Sequence, residues 1–447
     1  MVGRGLQVSR ERSCSGRLAA ALLIALGILW GCSERAPARP DVIFVVVDSL
    51  RADHVSHLGY EFPTAASLDG FRDDAALFTQ AFAPSPLCVP STATLLTGLQ
   101  PAQHRLGHEE RLADGIETLA TRLRDAGYGT VGLSHHVRIG AETGLDRGFD
   151  HFQGVEGGNL LDYPDASDAV AFVREFLARD PPRPFFLYLH LMNTHGPYRV
   201  PPDRRSDLLG RPPLEGMRYG DPLMRGVLRD APGARAQVTN AHVRSLTEQY
   251  DTAARYTLDR VAEILRLLEH AGAYRDAVIV LAGDHGDELF EHGSFGHGAT
   301  LYTEVLHVPL YLKPPGGAKG LRGEDPVGLQ DVAPTVLELL GLPPLPGAGN
   351  SLASWLRGEP APAHADRALL HEIPGDPARA RAITAGRYKL IRRGVEPDPV
   401  EVRLYDRVLD PRETADIAVG GGELVSDLSR RLDAEFSALA PPAAASP

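Results

Sequence analysis

Several stretches of the chain are continuous apolar runs of strand length, without the alternation of a half-exposed strand. They include Val-Ile-Phe-Val-Val-Val over 42–47, Thr-Val-Gly-Leu over 130–133, Pro-Phe-Phe-Leu-Tyr-Leu-His-Leu over 184–191, 277–281 and 308–312. Runs rich in β-branched and aromatic residues predict strands buried on both faces, as in a parallel sheet covered by helices. Between them lie apolar stripes at helical spacing. Ile116, Leu119, Ala120, Leu123 and Ala126 form one, 169–177 another, and Tyr250, Ala254, Leu258, Val261, Ile264, Leu265 and Leu268 line a long helix over 242–270. Shorter helices are expected over 330–341 and 423–439. Alternation of strand and helix predicts an α/β fold. The segment 201–236 breaks this pattern. It reads as irregular, rich in Pro, Gly and Arg, and longer than an ordinary connection, hence a lid or a mobile insertion. Beyond 356 the period changes again. Residues 382–391 read as a hairpin turning near Gly386 and 401–406 as a further strand, so a small antiparallel sheet is expected there.

The first 32 residues stand apart. Arg4, Arg10, Arg12 and Arg17 precede an apolar run over 18–30 that is short for a membrane span. It ends in Leu29-Trp30-Gly31-Cys32, which is similar to a bacterial lipoprotein box. Cys32 is then the lipidated first residue, 33–40 a tether, and the protein an exported envelope lipoprotein facing the periplasm or cell exterior, held to the membrane by acyl chains. An ordinary secretory signal and an uncleaved anchor are the alternatives. Cysteine usage agrees with export. Of Cys14, Cys32 and Cys88, only Cys88 would remain a thiol, so no internal disulfide forms and the leftover thiol calls for a chemical reason. A net charge of −12 argues against a general nucleic-acid surface, and 36 prolines with 46 glycines imply a loop-built site.

The candidate chemistry collects where the apolar runs end. In open α/β sheets the ligand site lies beyond the carboxyl ends of the strands. Asp48 closes the first run, His135 and His136 follow the second, His195 follows the third, and Asp284-His285 follows the fourth between Gly283 and Gly286. Carboxylates with an imidazole suit a divalent cation, although Asp48 reads equally as a helix N-cap. Cys88 lies in a proline-framed entry to a helix that Gly98 can stop. There the first-turn N–H groups and the helix dipole favour an anion, making Cys88 an activated nucleophile or metal ligand; the alternative is a buried cysteine beside a loop. His292 and His297 lie on a glycine-rich loop, His297 being the better site candidate. His190, inside a strand, reads as a core histidine.

Residues 88–98, Cys-Val-Pro-Ser-Thr-Ala-Thr-Leu-Leu-Thr-Gly, resemble the signature of the sulfatases, and the resemblance extends over roughly 41–418. It implies an alkaline-phosphatase-like α/β/α sandwich with a mixed, mostly parallel central sheet over 41–360, a small C-terminal antiparallel subdomain over 361–439, and a tail over 440–447. It also implies that a formylglycine-generating enzyme converts Cys88 to formylglycine. One divalent cation, calcium with manganese or zinc as alternatives, would be held by Asp48, residue 88, Asp284 and His285. His195, in an element similar to the family's His-x-Pro-Tyr, and His297 would bind ester oxygens and protonate the leaving group, and His135 or His136 would contact substrate. Three motifs depart from the family pattern. Thr92 stands where the modification signal Cys-x-Pro-x-Arg has its arginine, Ser49 follows Asp48 where many sulfatases have a second acid, and His135 and Val137 fall where many carry Lys-x-His. Asp284-His285 looks like the phosphonate monoester hydrolase branch, since many sulfatases have Asp-Asn. The expected function is metal-dependent hydrolysis of an anionic ester, a sulfated glycan or an aryl or alkyl sulfate. The alternatives are a phosphonate or phosphodiester hydrolase, a phosphoryl transferase, and an inactive glycan-binding lipoprotein.

Overall fold

The run 42–47 divides its side chains between two cores. In the computed structural model of the chain, which describes residues 1–3, 39–107, 111–155, 160–347, 349–359, 367–376, 380–394 and 400–439, Ile43, Val45 and Val47 join one buried cluster. Val42, Phe44 and Val46 join another. Successive side chains of a strand point to opposite faces, so a strand apolar on both has to lie between two helical layers.

This strand is β1 (Val42–Val47). The central sheet adds β2 (Ala76–Phe78), β3 (Gly129–Ser134), β4 (His151–Gln153), β5 (Phe185–Leu191), β6 (Val278–Gly283), β7 (Leu310–Lys313) and β8 (Arg322–Gly323). Their order across the sheet is β8-β2-β7-β6-β1-β5-β3-β4. Neighbours are parallel except at β7, which runs against β6 and β2. One face is covered by α1 (Cys88–Thr97) and α4 (Val332–Leu339), the other by α2 (Ala166–Ala178) and α3 (Asn240–His270).

Register carries the consequence for function. Val47 of β1 pairs with Leu191 of β5 and Gly283 of β6, and His190 of β5 pairs with Ser134 of β3. The carboxyl ends of four adjacent strands are therefore level, and Asp48, His135, Met192 and Asp284 leave the sheet along one edge.

A second, antiparallel sheet holds β9 (Ala368–Glu372), β10 (Arg381–Ala385), β11 (Tyr388–Arg393) and β12 (Glu401–Asp406). Helix α5 (Gly422–Ala438) lays Leu428, Leu432 and Phe436 on Leu370, Ile383, Leu390 and Leu404. The other face sends Leu369 and Ala382 against Leu87, Leu301 and Val305, which ties this sheet to the residue preceding Cys88. The described residues from 40 onward cluster as one compact unit.

The segment 201–236 is more regular than its composition suggests. It contains helices Pro202–Leu209 and Pro222–Leu228, each started by a proline at its first position, and Gly210 closes the former with φ 67°. The targeting segment with Cys32, most of the tether and the tail 440–447 fall outside the described residues. No helix among the described residues is long and apolar enough to cross a membrane.

Candidate active site

Helix α1 puts Cys88 at its first position. Leu87 is extended and offers no side-chain cap, and Pro90 has no N–H, so the first-turn N–H groups without an intrahelical partner are those of Cys88 and Val89. Gly98 ends the helix in the left-handed conformation, φ 72°, with its N–H on the Thr94 carbonyl at 2.7 Å. Every residue of α1 is buried, which holds the sulfur in place.

Around it stand the side chains from the strand ends. His285 donates from Nδ1 to the Gly286 carbonyl at 2.8 Å, which leaves the Nε2 lone pair facing Cys88 Sγ at 3.1 Å. Asp48 Oδ1 lies 3.7 Å from the sulfur and His297 Nε2 lies 3.9 Å from it. Asp284 Oδ1 accepts from the Ser49 and His285 backbone N–H groups at 3.0 and 2.8 Å. One ligand atom from each of Asp48, Cys88, Asp284 and His285 falls within a 4.8 Å group, and all four residues are buried.

The supporting contacts explain why these groups stay put. Ser49 adopts φ 58°, unfavourable by about 1 kcal/mol or more for a non-glycine residue. Tyr250 of α3 clamps it by donating to the Ser49 carbonyl at 2.6 Å and accepting from Arg51 N–H at 2.8 Å. Gly283 and Gly286 are required by close approach. A Cβ would sit 2.5 Å from the Leu50 carbonyl oxygen at the former and 2.0 Å from that of Glu304 at the latter. Their role is to pack the strand-end loops together.

Charge decides what the pocket accepts. Burial pushes Asp48 up, but the His190 hydrogen bond and the His195 and His285 rings hold it well below the usual carboxylate range. Burial and the Asp48 charge push Asp284 well above that range, and burial with both carboxylates pushes the Cys88 thiol well up. Burial and His297 lower His285 to about 3, so it is neutral. Asp284 Oδ2 is buried with no hydrogen-bond partner. Two close buried carboxylates, a neutral imidazole with its lone pair directed inward and an unpartnered oxygen make a donor set that fits a divalent cation.

His195 donates from Nδ1 to the Gly196 carbonyl at 2.8 Å, and its ring lies 5.0 Å from that of His297. Burial opposes protonation of His297, but its bond to Asp287, 2.7 Å, raises it overall. His136 faces His190 and His195 at ring distances of 6.0 and 6.4 Å. The structure does not bring His135 to the sulfur. Its ring is buried with both nitrogens unpartnered, and its electrostatic neighbours are His190 and Asp165. His292 turns away to Glu304 and the Glu413 carbonyl, orienting the loop.

Three residues at the site were not assigned there from sequence. His190, expected in the core, donates from Nε2 to Asp48 Oδ2 at 3.0 Å and lies 3.9 Å from Asp284 Oδ2, while Tyr188 donates to its Nδ1 at 3.0 Å. Asp287 orients both His297 and Tyr198. Tyr219 comes from the 201–236 segment. Its ring covers Gly196, where a Cβ would fall 2.1 Å from it.

The family model described as Sulfatase matches residues 40–342. A Δ4,5-hexuronate-2-O-sulfatase of Bacteroides thetaiotaomicron is 25% identical over 366 residues, 74% of each chain. An arylsulfatase of Clostridium perfringens is 24% identical over 361 residues, 67% of this chain and 74% of its own. Among solved structures, a phosphonate monoester hydrolase from Silicibacter pomeroyi superposes with a TM-score of 0.72 at 21% identity, covering 90% of this chain and 96% of its own. A protein solved with its substrate D-glucosamine-2-N,6-O-disulfate does so with a TM-score of 0.73 at 21% identity, covering 90% and 98%. The chain belongs to the sulfatase family, within the alkaline-phosphatase superfamily, and is a sulfuric ester hydrolase.

Proposed function

We propose that the protein hydrolyses sulfate esters of a carbohydrate with residue 88 as the nucleophile. The observation that carries this reading is the position of Cys88 at the start of α1, 3.1 Å from His285 Nε2 and grouped with Asp48 and Asp284. Formylglycine at 88 would supply a hydrated-aldehyde hydroxyl, and a divalent cation held by Asp48, Asp284, His285 and residue 88 would draw charge from the ester oxygens. The two carboxylates favour calcium or manganese once residue 88 offers oxygen, whereas a retained thiol favours zinc. The first-turn N–H groups of α1 receive the sulfate oxygens. His297, kept basic by Asp287, donates its Nε2 proton to the departing alkoxide, and His195 Nε2 binds beside it. Water then completes the balance, giving alcohol, sulfate and a proton.

The test is peptide mass spectrometry across Cys88 of natively expressed protein, together with turnover of matched sulfate, phosphate and phosphonate esters. Conversion appears as a loss of about 18 Da. An unmodified thiol with no sulfatase turnover overturns the reading. Thr92 and the Asp284-His285 pair favour a second reading, hydrolysis of a phosphonate or phosphate diester, which the same ester panel decides. Export and anchoring at Cys32 belong to the proposal, and loss of lipid labelling in a Cys32→Ala variant tests them.

A further inference from the structure

The glycine-rich loop has two sides. Its inner side carries His297 to Cys88, and its outer side lines a cleft of about 370 Å³ with Ser294, Ala299 and Thr300. Ala299 is two residues from His297, so its Cα lies within about 7 Å of that of His297.

The cleft is built from three parts of the chain. The 201–236 segment supplies Leu228 and Arg235, the loop supplies Thr300 and Tyr302, and the C-terminal sheet supplies Arg393 and Arg403. Three arginines face two acids, Asp230 and Glu401, in a lining that also holds His292, where burial opposes protonation but the bond to Glu304 raises the pKa overall. The chain as a whole carries −12, whereas this lining holds one arginine more than its acids. Arg403 is taken up by Glu401 and the Tyr302 hydroxyl, but Arg235 and Arg393 are not used up by their partners. Arg235 meets Asp230 at 2.6 Å through one nitrogen, and Arg393 reaches Asp376 only at 3.7 Å, each side chain being about half exposed. A guanidinium has five N–H donors, so each keeps donors for an incoming carboxylate or sulfate. Tyr302 lies flat on His292 at 3.6 Å, an aromatic wall beside the charges.

We propose that this cleft is a second anion-binding subsite, which holds a sulfate or carboxylate on a sugar adjoining the one whose ester is cleaved. This rests on the sulfate-ester reading above. It makes the enzyme one for oligosaccharides with more than one anionic group, with Arg393 and Arg235 setting specificity.

The experiment compares wild type with Arg393→Ala and Arg235→Ala on two substrates, 4-nitrophenyl sulfate and a heparin-derived tetrasaccharide carrying sulfates and uronates. For each variant kcat/KM on the tetrasaccharide falls about tenfold or more through KM, the loss of a charge-assisted contact, while the aryl ester is turned over within twofold of wild type. Equal losses on both substrates, or no loss on either, overturn the subsite. Calorimetric binding of the tetrasaccharide to Cys88→Ala, with and without the arginine substitutions, keeps the subsite testable apart from catalysis. If wild type hydrolyses neither ester, the sulfate-ester reading fails. The subsite still stands if the arginine substitutions weaken binding, and falls if they do not. The N- and O-desulfated tetrasaccharide separates the two anions, since retained arginine-dependent binding assigns the carboxylate and its loss assigns the sulfate.

Discussion

Glu288 holds the loop that carries His297 at an energetic cost that grows with pH. It opens a two-residue strand whose partner, Phe295–Gly296, immediately precedes His297, and its Oε1 accepts from the Thr300 hydroxyl. The residue is 1% exposed, and Oε2 has no hydrogen-bond partner. Burial and then the nearby Glu304 raise its pKa from 4.5 to about 7. The folded state therefore binds this proton more tightly than the unfolded state. Stability is unaffected below the unfolded value, falls as pH rises from 4.5, and has lost its full share above 7. A shift of that size corresponds to about 3 kcal/mol. Glu288→Gln keeps an acceptor for Thr300 and cannot ionise. It is expected to match wild type near pH 5 and to exceed it by about 3 kcal/mol at pH 8. Urea denaturation followed by circular dichroism at pH 5, 6, 7 and 8 measures the difference from midpoints at a common slope. A gap independent of pH, or a variant weaker at pH 8 than at pH 5 relative to wild type, refutes the assignment.

Further substitutions probe the site and its supports. His190→Leu removes the donor to Asp48 and should weaken cation binding about 10- to 100-fold by calorimetry, while His190→Gln, which keeps an N–H, should retain most of the affinity. Lys389→Met leaves Glu413 charged and buried where the two now meet at 2.9 Å. It should cost about 3–5 kcal/mol in denaturation, much of it recovered by adding Glu413→Gln. Gly196→Ala drives a methyl into the Tyr219 ring and should lower kcat/KM with little change in the thermal midpoint, and Tyr219→Ala in the same background should restore part of the loss.

The sheet was legible because its strands are apolar on both faces, and such runs have few other places to go. The observed β1, Val42–Val47, coincides with its apolar run, and β6 ends at Gly283 just before the expected ligands. Site residues that follow strand ends were legible for the same reason, since level register converts a position in sequence into a position in space. His190 was hidden by that very uniformity. When both faces of a strand are apolar, nothing in the pattern says that the side chain beside Val46 meets the Asp48 carboxylate. Asp287 and Tyr219 act through contacts with distant or folded-back segments, which no local period reports. The helices of 201–236 are only eight and seven residues long, and the first is arginine-rich with little apolar stripe, so composition spoke for irregular structure.

The replacement of arginine by Thr92 bears on the site's charge as well as on its modification. Thr92 lies one helical turn beyond Cys88, buried beside Tyr188. An arginine there would bring a fixed cation toward residue 88 and the two carboxylates. In this chain the same region holds Tyr188, whose hydroxyl donates to His190 Nδ1, and His190, whose Nε2–H points at Asp48 with Asp284 next to it. Donors to the carboxylates are thus supplied from β5 instead of α1. What β5 does not replace is the permanent charge. The balance for an incoming anionic sulfate ester falls on His297, on the dipole of α1 and on the divalent cation proposed at Asp48 and Asp284. With the proposed cation bound, loss of arginine at 92 ties substrate binding more closely to metal occupancy, while the route to Asp48 through Tyr188 and His190 keeps the carboxylate in position.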